Sequence, residues 1–351
     1  MSEGRTRRLG TLAGLAAAAL FGIAAPLSKM LSAWFDPLRL AALLYLGAAL
    51  GLSCIRLVRR NRSETQIKRG DLLPLAGVVL TGGVLGPILM LTGLRHTSAL
   101  AGSLLLNLEG LLTFLLAIIV FREHATWRAA AGAGAILGAA LILGFGFGQL
   151  SSEPFGVLAI SAACACWAID NNLTQRLSLR DPLAIAQTKT VAAGLCNLAL
   201  SFAFGMPAPV ASRPVLAALV VGAFGYGVSI LLDVYALRFL GAARESAFFA
   251  TAPFIGALAS VPLLHESLHW GDAVAGALMA LGVVLLLSER HSHAHVHEVI
   301  EHEHLHTHDE HHHHAHAVGE LIADSHSHVH RHEPLTHEHR HVSDAHHRHR
   351  H

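Results

Sequence analysis

The sequence predicts an all-α integral membrane protein with ten transmembrane helices, arranged as two inverted five-helix repeats and followed by a disordered tail. Three observations support this prediction. The 351 residues are 53% hydrophobic and only 14% charged, unlike a soluble domain. Ten apolar stretches are long enough to cross about 30 Å of hydrocarbon as helices. The chain also repeats a unit of about 145 residues, which is typical of duplicated membrane bundles.

The ten spans follow directly from the apolar stretches. Period-two alternation is absent and Ala, Leu and Gly dominate, which excludes a membrane β-barrel. All four cysteines lie within predicted spans, so no extracellular disulfide framework is expected. The predicted spans are 9–30, 36–57, 72–93, 98–121, 127–147, 155–175, 182–204, 214–237, 244–264 and 270–288.

The repeat is clearest between residues 94–143 and residues 237–286, which align without a gap. Three residues recur at an offset of 143: Arg95, Glu123 and Trp127 return as Arg238, Glu266 and Trp270. Upstream the match is weaker, and Asp36-Pro37 pairs with Asp181-Pro182 at an offset of 145. The sequence therefore predicts a first repeat over 1–148, a second over 149–289 and a separate tail over 290–351.

Positive charge indicates the orientation of the spans. With the N-terminus inside, the cytoplasmic segments before the tail hold sixteen Lys and Arg residues and the outer segments hold four. This positive-inside bias predicts a multi-pass protein of the cell membrane with both termini in the cytoplasm. Five helices per repeat is an odd number, so the second repeat must enter the membrane inverted. Inverted repeats of this kind are an architecture of secondary transporters.

The chain resembles the drug/metabolite transporter superfamily, and specifically the EamA-type exporters. The resemblance covers about residues 9–288. Its elements are the ten spans, the doubled five-helix unit, the glutamate that closes each fourth helix, the Gly-rich fifth helices and Pro253 in the ninth span. The first-repeat counterpart of Pro253 is Gly110, which departs from the family pattern. The resemblance implies transport but does not fix a substrate, because the superfamily moves amino acids, nucleotide sugars, drugs and other metabolites.

Charged residues inside the lipid are rare and costly, so each is a candidate functional residue. Glu109 lies near the middle of the fourth span, two residues after Asn107. A buried carboxyl group is more easily protonated than one in water. We therefore expect Glu109 to carry a proton or bind a cation, and the alternative is a carboxyl group held by hydrogen bonds to a neighbouring helix.

Spans 6, 7 and 8 hold the other candidates. Asp170, Asn171 and Asn172 form a polar cluster, and Lys189 lies at a similar depth on the next span. A buried Asp170–Lys189 ion pair and a substrate-carboxylate site that uses Lys189 are both open. Tyr226 and Asp233 belong to the eighth span, where Asp233 is expected at the wetted cytoplasmic rim.

Glycine and proline interrupt the third and eighth spans at corresponding positions. The third span holds Gly82, Gly83, Gly86 and Pro87, and the eighth holds Gly222, Gly225 and Gly227. Such interruptions indicate where a transporter opens its backbone near the substrate. The alternative is close packing of helices through small residues.

The tail after Arg290 contains 24 histidines among 61 residues. Ten carboxylates, four arginines and few apolar residues predict disorder. Spaced imidazoles can bind Zn, Ni, Co or Cu, and a pH-responsive polyelectrolyte or a low-complexity extension are the alternatives. The candidate metal ligands are His291, His293, His295, His297, His302, His304, His306, His308, His311, His312, His313, His314, His316, His326, His328 and His330.

Two classes of function remain open at this stage. One is an exporter of a small metabolite or drug-like molecule with a metal-binding tail. The other is a divalent-metal exporter or a membrane-tethered metal buffer, for which the spans should hold clustered His, Asp or Glu. No nucleotide-binding loop of the G-x-x-x-x-G-K type occurs, so we expect neither an enzyme nor direct use of ATP. We expect no required cofactor and no nucleic-acid partner, and a homodimer stays open.

Overall fold

The computed structural model describes residues 3–58, 67–121, 127–145, 153–177, 180–205, 212–240, 242–287, 291–296, 301–306, 326–331 and 336–341. Within these residues, ten helical segments are long and apolar enough to cross a membrane. This confirms the predicted all-α membrane architecture. We number the segments span 1 to span 10 in chain order.

Six spans are single helices, because their Ala- and Leu-rich runs carry no internal proline apart from Pro26. In the first repeat, spans 1, 2 and 5 are Glu3–Leu31, Pro37–Val58 and Trp127–Phe145. In the second repeat, spans 6, 7 and 10 are Pro154–Arg176, Pro182–Ala203 and Trp270–Leu287. Asp181 begins span 7, since its carboxylate accepts a hydrogen bond from the Leu183 N–H at 2.9 Å.

Spans 3 and 8 each contain a π-helical segment at corresponding positions of the two repeats. Span 3 comprises Arg69–Asp71, Leu72–Val78, the π segment Val79–Leu85 and Gly86–Arg95. Span 8 comprises Ser212–Gly222, the π segment Ala223–Val228 and Ser229–Leu240. The backbone is therefore irregular where the paired glycines predict an interruption.

Spans 4 and 9 are each broken near the middle, which the sequence did not reveal. Span 4 consists of Ala99–Leu105 and Leu108–Phe121. Span 9 consists of Ala242–Phe249 and Ala252–Leu264. The two breaks lie about 143 residues apart, so they are a property of the repeated unit.

The packing of the spans follows the symmetry of the repeat. Span 1 packs on spans 8 and 9, and its counterpart, span 6, packs on spans 3 and 4. Spans 2 and 7, 4 and 9, and 5 and 10 pack on each other. Most of the extensive contacts therefore join one repeat to the other, so the repeats are units of sequence and not separate packing units.

Close approach between these helices depends on glycines at two interfaces. An added Cβ at Gly132 would lie 2.8 Å from the Gly282 carbonyl oxygen, and one at Gly282 would lie 2.7 Å from that of Gly132. Between spans 1 and 9, an added Cβ at Gly256 would lie 2.6 Å from the Gly22 carbonyl oxygen, and one at Gly22 would overlap the Ala252 carbonyl oxygen. Small residues let the backbones of membrane helices approach closely, where dispersion forces hold them together.

Within the tail the structure describes four short strands. Strand β1 (His291–Val296) pairs antiparallel with β4 (Thr336–His341), and β2 (Glu301–His306) pairs antiparallel with β3 (His326–Arg331). Such a ladder needs only backbone donors and acceptors and no core.

Candidate functional site

A polar cluster lies where spans 3, 4, 6 and 7 meet. The Asn171 side-chain amide donates to Glu109 Oε1 at 2.9 Å. One residue earlier on the same helix, Asp170 forms an ion pair with Lys189. Glu109 lies within electrostatic range of both members of that pair. Four of the residues that the sequence singled out are therefore neighbours in the fold.

Glu109 combines two properties that rarely occur together in a membrane helix. It is surrounded by protein, and part of its side chain is still accessible. It also lies in the first turn of the helix that begins after the break in span 4, where backbone N–H groups lack helical partners and favour a negative charge. A partly accessible carboxyl group of this kind can exchange a proton or contact a ligand.

The Asp170–Lys189 pair packs against the π segment of span 3. Asp170 is 4% exposed, and an added Cβ at Gly82 would overlap its carboxylate. Thr174 Oγ1 donates to Asp170 Oδ1 at 3.4 Å. The ion pair predicted as one of two alternatives is thus present, and glycine at position 82 leaves room for it.

The same π segment frees two carbonyl groups that other spans then bind. Pro87 has no N–H with which to bond the Gly83 carbonyl, and Asn197 Nδ2 of span 7 donates to that oxygen at 3.0 Å. The Gly82 carbonyl accepts from Tyr45 Oη of span 2 at 2.7 Å and from Trp167 Nε1 of span 6 at 3.2 Å. Buried carbonyl groups need such partners in lipid.

Aromatic side chains continue from this polar cluster into the bundle. Tyr45 stacks on Tyr226 with ring centroids 6.1 Å apart, and Phe21 meets Tyr226 edge-on at 5.9 Å. Phe21 also contacts Phe249, with 5.1 Å between centroids. Tyr45 lies within electrostatic range of Asp170 and Glu109. The site therefore has an aromatic side and a charged side.

The remaining candidates take other positions. Asn107 Nδ2 donates to the Leu104 carbonyl at 2.8 Å, and Asn172 Nδ2 donates to that of Ala168 at 2.8 Å. Each of these two side chains therefore donates to a backbone carbonyl group of its own span. Asp233 is not a simple rim residue, because it shares a hydrogen bond with Glu245 of span 9. That partner could have been found from the sequence, since Glu245 is a charge at the start of a predicted span.

Tyr45, Trp167 and Asn197 are site residues that sequence reasoning missed. Each donates to a carbonyl group of the span 3 π segment. One weak signal was available, since Tyr45 is one of only three tyrosines in the chain. The hydrogen bonds themselves depend on packing between distant spans, which no local pattern reveals.

At the end assigned to the outside, charged side chains fix helix ends. The Glu266 carboxylate accepts from the N–H groups of Ala99 and Leu100 at 2.6 and 2.8 Å and so caps span 4. Lys29 Nζ donates to the carbonyl groups of Leu94, at 2.6 Å, and Thr97. A lysine near a span end commonly snorkels to the membrane surface, whereas the structure gives Lys29 internal acceptors. The matching glutamate, Glu123, lies outside the described residues.

Arg95 also holds an end of the bundle in place. Its Nη2 donates to the carbonyl oxygen of Phe35 at 2.6 Å and to that of Ser32 at 3.1 Å. The turn between spans 1 and 2 is thereby attached to span 3. His265 and His269 are four residues apart on either side of Glu266, but the segment 265–269 is not helical, so the two histidines do not share a helix face.

The predicted metal ligands of the tail divide into two groups. Nine of them lie in the described strands, namely His291, His293, His295, His302, His304, His306, His326, His328 and His330. His297, His308, His311, His312, His313, His314 and His316 lie outside the described residues. Among the side chains that the structure describes, no three His, Cys, Asp or Glu come together as a metal site.

Comparisons with known proteins agree with this architecture. The EamA-like transporter family matches the chain twice, over residues 8–145 and 154–288. An uncharacterized transporter of Methanothermobacter thermautotrophicus is 31% identical over 297 residues, which cover 80% of this chain and 87% of the relative. A solved crystal structure with 20% identity covers 79% of this chain and 95% of its own, with a TM-score of 0.58, and supports the fold alone. The chain belongs to the EamA-like transporter family of the drug/metabolite transporter superfamily.

Proposed function

We propose that the protein is a secondary transporter that exports a small amphiphilic molecule across the cell membrane, with a cytoplasmic tail that binds divalent metal. The polar cluster around Glu109 carries this proposal. Charged groups within a bilayer cost several kcal/mol unless they are paired or wetted. We therefore infer that Glu109, Asp170 and Lys189, which lie together in the bundle, take part in transport.

In this proposal Glu109 is the coupling residue. Its partial accessibility lets a proton or cation reach the carboxylate, and its hydrogen bond from Asn171 links the charge state to span 6. Protonation would weaken that bond, because a neutral carboxyl group is a poorer acceptor than a carboxylate. Spans 4 and 6 would then be free to separate.

The Asp170–Lys189 pair supplies the recognition site. A substrate carboxylate can replace Asp170 as the partner of Lys189, since both are oxygen anions of the same charge. The aromatic groups of Phe21, Tyr45 and Tyr226 offer an apolar surface for the rest of the molecule. We therefore favour a substrate with one anionic group and a compact apolar body, such as an amino acid or an organic acid.

Export of a divalent metal is the competing hypothesis, favoured by the histidine content of the tail. Dedicated metal transport calls for ligands within the spans. In the described spans the charged groups of the polar cluster are two carboxylates and one ammonium, a mixture that suits an organic zwitterion or anion better than a free cation.

Orientation can be tested separately from transport. We expect reporters fused after Glu289 and within 148–153 to report opposite compartments, with Glu289 in the cytoplasm. The sixteen-to-four distribution of basic residues is the reason. Reports from the same compartment would contradict the ten-span topology with cytoplasmic termini.

The transport hypothesis is tested with purified protein in proteoliposomes. Radiolabelled amino acids, organic acids and zinc are assayed for counterflow, with and without a pH gradient. Glu109→Gln keeps the shape and can still accept from Asn171, so we expect at least about a tenfold loss of rate and loss of pH dependence. Glu153→Gln is the matched control, because that carboxylate is exposed and outside the spans.

Three results would decide the matter. Wild-type rate and pH dependence in Glu109→Gln would contradict the coupling role. Counterflow of zinc but of no organic compound would favour the metal exporter. Loss of activity in Glu153→Gln as well would show that the assay does not isolate the polar cluster.

A further inference from the structure

The two broken spans, 4 and 9, pack on each other through their outer halves, which lie at the end assigned to the outside. The outer half of span 4 is Ala99–Leu105, and that of span 9 is Ala252–Leu264. The inner half of span 4, Leu108–Phe121, packs instead on span 6. The inner half of span 9, Ala242–Phe249, packs on spans 8 and 1. Each break therefore separates a half that contacts the other broken span from a half that packs elsewhere.

This division also separates two groups of spans. The first group comprises spans 3, 4 and 6, and the second comprises spans 1, 8 and 9, because each set packs closely within itself. Span 1 contacts the first group through the outer half of span 4 and the last part of span 3, Gly86–Arg95. Packing between the two groups is therefore concentrated at the outer end of the bundle.

Three charged side chains join the two groups at the outer end. Lys29 of span 1 donates to the carbonyl groups of Leu94 and Thr97, at the turn between spans 3 and 4. Glu266, which follows span 9, accepts from two N–H groups at the start of span 4. Arg95, at the end of span 3, donates to two carbonyl groups of the turn after span 1. Each of these bonds involves an ionised group, so it is stronger than a bond between neutral groups.

Two pairs of charged side chains at the inner end lie each within one group. Arg180, which follows span 6, donates from Nε to Asp71 Oδ2 of span 3 at 2.7 Å, within the first group. Asp233 of span 8 shares a hydrogen bond with Glu245 of span 9, within the second group. Both pairs can therefore persist when the two groups move apart, whereas the bonds at the outer end cannot.

A buried hydroxyl group lies between the two outer halves. Ser103 of span 4 has no exposed surface, and its Oγ lies 3.0 Å from the position of an added Cβ at Gly256 of span 9. Among the described residues, no hydrogen-bond partner reaches this Oγ. A buried polar group without a partner is uncommon and costly. The cost is easier to understand at an interface that separates, because water then reaches the hydroxyl group.

We propose that Lys29, Arg95 and Glu266 form an outer gate, which holds the outer halves of spans 4 and 9 together and must break before substrate leaves toward the outside. This inference rests on the proposed secondary transport, but on neither the substrate class nor the coupling role of Glu109. The three side chains lie at span ends near the membrane surface, so water can replace the bonds that break. The closed and open states are then close enough in free energy to interconvert.

The test measures access to position 103 from outside intact cells. Ser103→Cys is introduced into a protein whose four native cysteines are alanines, and its labelling by a membrane-impermeant maleimide is followed over time. We expect slow labelling when the gate is intact. Lys29→Met with Glu266→Gln should accelerate labelling at least about tenfold, because the loss of one charge-assisted hydrogen bond from the closed state shifts the opening equilibrium by that factor.

Arg180→Met is the matched control, since it removes a cation from a hydrogen-bonded pair that lies within one group. We expect it to leave labelling at position 103 unchanged. Size-exclusion chromatography and thermal melting of each variant establish that the rates belong to folded protein. If the double gate variant does not fold, Glu266→Gln alone takes its place, because the amide still offers one acceptor to span 4, and a smaller acceleration is expected.

Unchanged labelling in a folded gate variant would overturn the gate. Equal acceleration in Arg180→Met would overturn it as well, because the effect would then be a general loosening of the bundle. Acceleration in inside-out vesicles but not in cells would overturn the assignment to the outer end. The labelling assay needs no substrate, so a failure of the gate and a failure of the proposed transport activity are seen in separate experiments.

Discussion

Two equivalent interfaces in the bundle have the same helix arrangement and opposite chemistry. The polar interface joins spans 4, 6 and 7 and holds Glu109, Thr113, Asp170, Asn171 and Lys189. The apolar interface joins spans 9, 1 and 2. The repeat offset is 143 for spans 4 and 9, 145 for spans 2 and 7, and 146 for spans 1 and 6, where residues 26–28 match residues 172–174. These offsets place Ala252, Gly256, Ala24, Ala25 and Leu44 at the corresponding positions, and four of these residues are almost fully buried.

The two interfaces differ in the forces that hold their helices together. At the apolar interface the backbones of Gly22 and Gly256 touch, and the contact is maintained by dispersion and shape. At the polar interface an ion pair and an amide–carboxylate bond hold the spans together. Packing of the first kind is difficult to reopen, whereas bonds of the second kind respond to a proton or a competing ligand.

The π segments show the same division. In span 8 the Ser229 hydroxyl donates to the Gly225 carbonyl of its own helix at 2.6 Å. In span 3 the freed carbonyl groups of Gly82 and Gly83 are bound by side chains of spans 2, 6 and 7. Movement at the polar interface would therefore be transmitted to three other spans through side-chain hydrogen bonds, whereas the span 8 segment contacts spans 1 and 2 through close packing.

The largest effect is expected when a carboxylate is placed on the apolar interface. Ala252→Glu puts a charge at a position with no exposed surface, opposite the Gly22 backbone. Leaving a buried charge without a partner costs about 5 kcal/mol, enough to prevent folding of most domains of ordinary stability. Size-exclusion chromatography and thermal melting in detergent measure the result.

The reverse change, Glu109→Ala, is the matched control, and it should leave a folded protein. If Ala252→Glu melts within about two degrees of the wild type, the apolar interface tolerates charge and the comparison between the interfaces fails.

A smaller effect is expected when the ion pair of the polar interface loses one member. Lys189→Met leaves Asp170, which is 4% exposed, without its cation. We expect a loss of about 3 kcal/mol in the free energy of unfolding, seen as a lower melting temperature. Adding Asp170→Asn should restore most of the stability, because no buried charge then remains.

Leu44→Met, at the corresponding position of the apolar interface, should change the melting temperature little. If Lys189→Met with Asp170→Asn melts at no higher temperature than Lys189→Met alone, the loss of stability does not come from the unpaired charge of Asp170. The ion pair would then contribute more than charge neutralisation.

The smallest effect is expected from added volume at the apolar interface. In Gly256→Ala the new Cβ would lie 2.6 Å from the Gly22 carbonyl oxygen, so a backbone must move. Overpacking of this kind costs about 2 kcal/mol, while Thr113→Ala at the corresponding polar position should cost less. Equal melting temperatures for wild type and Gly256→Ala would mean that spans 1 and 9 separate readily.

The sequence by itself determined the ten spans, their doubling and the region of the polar cluster. Length and hydropathy suffice to locate the spans, because backbone groups in lipid must be hydrogen-bonded and a continuous helix bonds nearly all of them within one segment. Rare intramembrane charges identified Glu109, Asp170 and Lys189, because their cost in lipid makes chance retention uncommon. The Gly-Pro pattern of span 3 indicated its π segment for a local reason, because Pro87 has no N–H to donate to the helix.

Only the tertiary structure decided which of these residues meet. That Asn171 bonds Glu109, that Asn197 binds the Gly83 carbonyl and that Glu266 caps span 4 all depend on contacts between residues far apart in sequence. The break in span 9 precedes Pro253, which cannot donate a helical hydrogen bond, whereas Gly110 stands at the corresponding position of span 4, so the break in span 4 lacks this local cause. The two repeats also contain the same pattern of spans yet pack mainly on each other, since a single inverted unit leaves its inner faces uncovered.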